Sequence, residues 1–219
     1  MARIARVVVP GYPHHVTQRG NRRMETFFRN EDYETYIDLV ANACREAGTE
    51  VWAYCLMPNH VHLVMVPADE DGLRAVLGEA HRRYTREINF RNQWRGHLWQ
   101  ERFHSFPMDE TYLLATVRYV ERNPVKAKLC QQPEDWPWSS AQAHLEGRDD
   151  ALVRVGPMLE RVKDWLAYLA EELSFDRMIK RHSRTGRPLG NTQFIENLEK
   201  LSGRDLTLKK PGRKPTKEK

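Results

Sequence analysis

The sequence predicts an α+β fold around one antiparallel sheet. Three observations predict it. Strand-like and amphipathic helical runs alternate from His15 to Asn123, two of the strands are joined by a tight hairpin, and 40% hydrophobic residues suffice for one ordinary core in a 219-residue chain. His15–Arg19 reads as the first strand, entering the turn-like pair Gly20-Asn21. Asn30 is placed to cap a helix whose first turn carries Glu31, Asp32 and Glu34, as the helix dipole favours. Tyr33, Tyr36, Ile37, Val40, Ala41 and Cys44 follow at helical spacing, and Gly48 stops the helix. Val51–Leu56 and His60–Val66 are strands, paired across Met57-Pro58-Asn59.

Leu73, Val76, Leu77, Ala80, Tyr84 and Ile88 mark a second helix, and Leu98–Pro107 reads as a fourth strand. A third helix starts at Asp109 or Thr111, buries Leu113, Leu114, Val117 and Val120, and ends at Asn123-Pro124, because the residue before proline avoids helical angles. The order βαββαβα gives a ferredoxin-like antiparallel sheet with its helices on one face. Beyond Trp136-Pro137-Trp138 no strand is expected. Leu152–Leu173 and Thr192–Leu201 read as helices of a small appendage, separated by Gly186-Arg187-Pro188-Leu189-Gly190. The divisions are therefore 1–147, an appendage at 148–203 and a tail at 204–219.

No apolar run is long enough to cross a bilayer, and Met1–Pro10 lacks the pattern of a secretory signal, so neither export nor membrane spanning is expected. Cys44, Cys55 and Cys130 show no zinc-type spacing and are expected to be reduced in a cytoplasmic protein. The net charge of +5 resides in the tail. Residues 204–219 hold seven basic residues, among them Lys209, Lys210, Arg213 and Lys214, against two acidic ones. Such a Lys/Pro/Gly-rich segment cannot bury a core and is attracted to polyanions, nucleic acid first.

Arginines also bunch in the neutral body. Arg19 and Arg22 belong to a group in the first thirty residues opposed only by Glu25. Arg82, Arg83, Arg86 and Arg102 belong to a second group between Gly72 and Phe106, interleaved with Tyr84, Phe90, Trp94, Trp99 and Phe103. Guanidinium forks that grip phosphate, beside rings on which bases can stack, favour single-stranded or hairpin nucleic acid. Core packing is the competing role for the aromatics, and a solvated helix face for the arginines.

His60-Val61-His62 lies within a predicted strand, where residues two apart share a face, so two imidazoles can converge on one divalent ion with open coordination positions. Spacing alone favours the plainer reading, a pair of surface or internally satisfied histidines. On the third helix, Tyr112, Thr116, Tyr119 and Asn123 form one stripe beside the apolar one.

Val16-Thr17-Gln18-Arg19-Gly20-Asn21, Tyr54-Cys55-Leu56-Met57-Pro58-Asn59-His60-Val61-His62-Leu63, Gly96-His97-Leu98-Trp99-Gln100 and Arg118-Tyr119-Val120-Glu121-Arg122-Asn123-Pro124-Val125 together resemble the single-tyrosine HUH transposases, most closely the REP-associated tyrosine transposases. Trp138-Ser139-Ser140-Ala141 and Gly186–Gly190 are also similar to that branch. Glu101 stands where a small residue, often glycine, is expected. The resemblance implies an HUH nuclease fold, with residues 1–147 as the catalytic domain. It implies that His60 and His62 hold Mg²⁺ or Mn²⁺ with Asn123 as third ligand, and that Tyr119 is the nucleophile. The implied activity is cleavage and rejoining of single-stranded DNA at repeated hairpins through a 5′-phosphotyrosine. Resemblance also favours a monomer over a homodimer.

Two other functions compete: a non-catalytic nucleic-acid hairpin binder on the same scaffold, and a metal-dependent phosphoesterase whose nucleophile is water. The second would need carboxylates near the metal, and none adjoins His60 or His62 in the sequence.

Overall fold

The structure, a computed structural model, describes residues 4–171 and 175–207. The tail residues Lys209, Lys210, Arg213 and Lys214 lie outside the described residues. The elements are β1 (His14–Arg19), α1 (Asn30–Ala47), β2 (Glu50–Met57), β3 (His60–Val66), α2 (Gly72–Asn92), β4 (His104–Pro107), α3 (Glu110–Glu121), α4 (Asn123–Lys126), α5 (Ala141–Glu146), α6 (Gly156–Arg161), α7 (Trp165–Ala170), α8 (Asp176–Thr185) and α9 (Thr192–Ser202). The four strands form one antiparallel sheet in the order β2-β3-β1-β4.

Register puts Cys55, His62, Thr17 and His104 in one row across the sheet, and Met57, His60 and Arg19 in the next row of the same face. The opposite face carries Val16, Leu56, Val61, Leu63 and Met65, which pack on Tyr36 and Val40 of α1 and on Leu73, Val76, Leu77 and Tyr84 of α2. These two helices share a face, as expected. The third does not: Leu113, Val117 and Val120 of α3 meet Ala53, Cys55, Met57, Val64 and Phe106 on the other side. Both faces of the sheet offer apolar side chains, and the α3 stripe fits the second.

Other expectations need correction. Asn30 is the first helical residue of α1, preceded by Arg29 as N-cap with no side-chain cap; the Phe28 N–H is taken instead by Asp32 at 2.8 Å. Only His104–Pro107 of the predicted fourth strand is extended in the sheet. Residues 98–103 bend across the end of β1, with Glu101 at φ 48° and the Gln18 amide donating to the carbonyls of Gln100 and Glu101 at 3.0 and 3.2 Å. The left-handed angle explains why a glycine is expected there. Proline does not end the helical path after α3, because Pro124 sits in the first turn of α4, where its missing N–H costs nothing.

The segment predicted as one helix from Leu152 to Leu173 is two helices, α6 and α7, separated where Val162 is extended and Asp164 caps Ala167 at 2.9 Å. Helix α8 was not predicted. The described residues of 148–203 form no separate core: Leu152, Val153 and Val155 join the α1/α2 cluster, while Met158, Trp165, Leu169, Ile179 and Leu189 join the α3 cluster. Helix α9 packs Phe194 and Leu198 on Val7 and Val9 near the N-terminus.

The buried histidines His14 and His81 are held as neutral rings. His14 accepts from the Val9 N–H at Nε2 (3.1 Å) and donates from Nδ1 to the Tyr12 carbonyl (2.8 Å), a pattern a protonated ring cannot satisfy. Burial lowers its pKa to about 4, and that of His81, whose Nε2 meets the Tyr36 hydroxyl at 2.9 Å, to about 3. The unfolded chain takes up these protons near the ordinary 6.5, so between there and pH 4 it binds more protons than the fold does. Stability should therefore fall as pH is lowered through that window. Denaturant midpoints at pH 7 and pH 5 check this, and equal midpoints would contradict it.

Candidate active site

The hairpin turn Pro58-Asn59 is gripped from outside. The Gly20 N–H donates to the Asn59 carbonyl (2.8 Å), and the Thr26 N–H donates to that of Pro58 (2.8 Å). Gly20 is required here, since a Cβ would lie 2.2 Å from the Met24 carbonyl oxygen. The same loop holds Arg22 and Arg23 at φ 52° and 62°, conformations that cost side-chain-bearing residues about 1–3 kcal/mol each and cluster at functional sites.

His60 and His62 project from β3 into an open cavity of about 660 Å³, which Tyr119, Asn123, Arg19 and Arg23 also line. His60 Nδ1 donates to Asn59 Oδ1 (2.6 Å), and Asn59 Nδ2 donates to the Arg23 carbonyl (3.0 Å). His62 Nδ1 meets His15 Nε2 at 3.0 Å, and His15 Nδ1 faces the Ser183 hydroxyl at 3.4 Å. Ser183 Oγ donates to the Ile179 carbonyl (3.0 Å) and so accepts from His15 Nδ1, which leaves His15 Nε2 to accept from His62 Nδ1; with Nδ1 of His60 and of His62 both donating, each of these two rings keeps Nε2 as its lone-pair nitrogen. Burial, then the Arg19 charge, lowers the His60 pKa to about 4; burial first, then His60, His15, Arg19 and Lys180, holds His62 well below its ordinary value. Both rings are neutral at neutral pH.

The Tyr119 ring stands edge-on to His62, with centroids 5.6 Å apart, and edge-on to His15 at 6.2 Å. Its helix brings it there because α3 lies on the histidine face of the sheet. Burial raises the phenol pKa, against the lowering effects of Asn123 and Arg19. Asn123 Nδ2 donates to the Tyr119 carbonyl (2.8 Å), which leaves Oδ1 as its donor atom for an ion. Two neutral imidazoles and an amide oxygen in one cavity suit a hard divalent cation that keeps positions open for substrate oxygens. Among the described residues no three His, Cys, Asp or Glu side chains could hold a metal by themselves, so an ion at the two histidines would need the amide or substrate oxygens as further ligands.

Of the predicted nucleic-acid contacts, Arg19 reaches the cavity. Arg22 is exposed beside it in the loop, and Arg102 is exposed next to Glu101. Arg82, Arg83 and Arg86 are exposed on α2, on the far side of the sheet, with Arg82 paired to Glu79 at 2.8 Å. Tyr84, Trp99 and Phe103 are core residues, whereas Phe90 and Trp94 are exposed. Of the α3 stripe, Thr116 is buried and Tyr112 packs on Phe175, so only Tyr119 and Asn123 reach the cavity.

Sequence reasoning missed several cavity residues. Lys180, Ser183 and Arg184 come from α8, and Lys126 comes from α4, where it pairs with Asp176 of α8. Glu101 also lines the wall, bonded to His104 Nε2 at 3.0 Å. A carboxylate is thus close in space although none adjoins the histidines in sequence. The doubled His14-His15 was visible, but nothing local marks His15 as the partner of His62.

Comparison with known proteins accords with this arrangement. A sequence of REP-associated tyrosine transposase type from Escherichia coli is 25% identical over 121 residues, 55% of this chain and 70% of that protein. A putative REP-associated tyrosine transposase from Haemophilus influenzae is 28% identical over 108 residues, 44% of this chain and 61% of that protein, so the match spans less than two thirds of its length. The solved structure of a REP-associated tyrosine transposase bound to a REP hairpin shares the fold, with a TM-score of 0.58 over 71% of this chain and 93% of that one at 22% identity. The profile of the family described as "Transposase IS200 like" matches residues 9–123, more than half of the chain, with His60, His62, Tyr119 and Asn123 all inside it. The chain belongs to the IS200-like transposase family.

Proposed function

We propose that this protein cleaves and rejoins single-stranded DNA at the foot of repeated hairpins through a 5′-phosphotyrosine on Tyr119. The observation that carries this reading is the meeting of Tyr119 with His60 and His62 in one cavity, from elements 57 or more residues apart in the chain. The Tyr119 hydroxyl oxygen attacks the scissile phosphorus in line, the bond to the 3′-oxygen breaks, the phenol proton is lost and the departing oxygen gains one. A 3′-OH of another strand reverses the step, because the ester energy is kept in the covalent link.

Tyr119 needs help at neutral pH, since burial keeps its phenol protonated. Mg²⁺ or Mn²⁺, held by His60, His62 and Asn123, would supply charge that offsets the negative charge on the phosphate oxygens. Arg19, Arg23, Lys180 and Arg184 line the same cavity and orient the strand through its phosphates. The arginines of α2 are left for more distant phosphates of the stem, and the basic tail for sequence-independent attraction. One chain carries the tyrosine and both histidines of one cavity, which supports action as a monomer.

Glu101 in the cavity wall favours one second reading, a hydrolase in which a carboxylate activates water. Incubating labelled hairpin DNA with Mn²⁺ separates the two. Transesterification leaves a covalent adduct resistant to denaturation; hydrolysis cuts without one, and a hairpin binder does neither. Replacing His62 by Ala is expected to lower cleavage by at least about a hundredfold, the several kcal/mol of charge stabilisation such a site supplies. Cleavage within a few fold of the unaltered protein would count against the histidine pair.

A further inference from the structure

The cavity wall at Arg23 continues into an exposed surface that the chemistry above does not use. Met24 and Phe28 on one loop and Trp94, just beyond the end of α2, are 55%, 40% and 44% exposed, and Phe90 in the last turn of α2 is 88% exposed. Phe28 and Trp94 meet edge to face at 5.6 Å. The two loops are knit together: the Asn21 N–H donates to the Leu98 carbonyl (2.8 Å), Asn89 Nδ2 holds the Gly96 carbonyl (2.9 Å), and the Trp94 N–H donates to that of Asn89 (2.8 Å). Beneath them Phe28 N–H and Arg91 both engage the buried Asp32, so the rings stand on a fixed base. Large rings left in water on a braced scaffold have a partner to explain.

Charge decides what partner. Arg22, Arg23, Arg29 and Arg95 are exposed in the segments that carry the rings, where the exposed acidic residues are Glu25, Glu31 and Glu87, and Glu31 is paired to Arg29 at 3.4 Å. A hydrophobic protein face would leave these guanidinium groups unmatched at its rim, whereas a nucleic-acid strand offers a π-face and a phosphate for every nucleotide. We propose that Phe28 and Trp94, with Met24 and Phe90 beside them, form a stacking platform for unpaired bases of the strand that leaves the cavity past Arg23, its phosphates held by Arg22 and Arg95. This deepens the proposed function and rests on it for the direction of the strand. The platform also touches the site mechanically, since the Arg23 carbonyl is bonded to Asn59, the partner of His60.

The test compares two labelled hairpins, one with a short single-stranded overhang at its foot and one blunt, by fluorescence anisotropy with the full chain. Phe28→Ala and Trp94→Ala are each expected to weaken the overhang hairpin by about 5- to 100-fold and leave the blunt one unchanged. Trp94→Phe, which keeps a ring, should restore most of the affinity. Thermal melts should show both variants still cooperatively folded, because the rings are 40% and 44% exposed and lie outside the main core. Overhang affinity within twofold of the starting value in both variants overturns the platform, as does equal weakening of the two hairpins. Loss of self-association in sedimentation without loss of DNA affinity also overturns it, and makes the patch a protein contact. Failure of the parent reading looks different: the unaltered protein would form no adduct on either hairpin, whatever the affinities.

Discussion

Tyr119→Phe is expected to abolish the denaturation-resistant adduct with hairpin DNA while binding that DNA as tightly as the unaltered protein. The substitution removes one oxygen from a ring that is 5% exposed and keeps its shape, so packing against His62 and His15 persists and the cost in stability should be below about 1.5 kcal/mol. The effect on chemistry is all or nothing, because no other tyrosine lines the cavity and none can take over without moving. Tyr112 lies against Phe175, and Tyr84 is core, its hydroxyl donating to the Thr26 carbonyl at 2.7 Å on the other side of the sheet. Gel analysis of adduct beside anisotropy of binding checks both halves. Parallel loss of binding and adduct would point to a structural role for the hydroxyl.

Glu121→Ala should be the most damaging substitution for stability among residues near the site. Glu121 is fully buried two residues from Tyr119 and two from Asn123. Its carboxylate accepts from Ser140 Oγ (2.5 Å), His144 Nδ1 (2.7 Å) and Trp165 Nε1 (2.9 Å), tying the end of α3 to α5 and α7. Truncation leaves His144 Nδ1 and Trp165 Nε1 buried without that acceptor, while Ser140 Oγ keeps the Tyr54 carbonyl at 3.3 Å, a loss of about 3–5 kcal/mol. For a chain of this size that is a fall in Tm of about 6–20 °C. Glu121→Gln keeps an acceptor and should lose less. A melt of the alanine variant within a degree of the starting protein would show that the network contributes little.

The same junction shows where sequence reasoning stopped. His60 and His62 could be placed on one face because a strand alternates sides with a period of two, and Tyr119 and Asn123 on one side because a helix repeats every 3.6 residues. Those periods are local, and they held. Which face of the sheet α3 would cover is a tertiary choice, decided by Ala53, Cys55, Val64 and Phe106 meeting its apolar stripe. No periodicity could reveal it. Helix α8 was invisible for another reason: its ten residues include Arg177, Lys180, Arg181 and Arg184, and Ile179 is its one fully buried apolar side chain, so it carries too narrow a stripe to be recognised. Yet it supplies Lys180, Ser183 and Arg184 to the cavity.

The pairing of His15 with His62 depends on the β1–β3 register, which sets His15 opposite Val64 and so one position along from His62 on the same face. Register between strands 47 residues apart is a long-range property, and the resemblance of the Val16–Asn21 block carries no statement about its neighbour. The arginine clusters were legible as clusters but not as surfaces: Arg91 turned inward to Asp32, Arg19 entered the cavity, and Arg82, Arg83 and Arg86 went to the far side.

The most direct test maps the covalent link itself. After reaction with hairpin DNA, the protein is digested with trypsin and nuclease, and the peptide Tyr119–Arg122, released by cleavage after Arg118 and Arg122, is weighed by mass spectrometry. The account predicts that this peptide carries a nucleotide through a 5′-phosphate on its single tyrosine. A nucleotide attached to any other peptide, or cleaved DNA with every peptide unmodified, would contradict it.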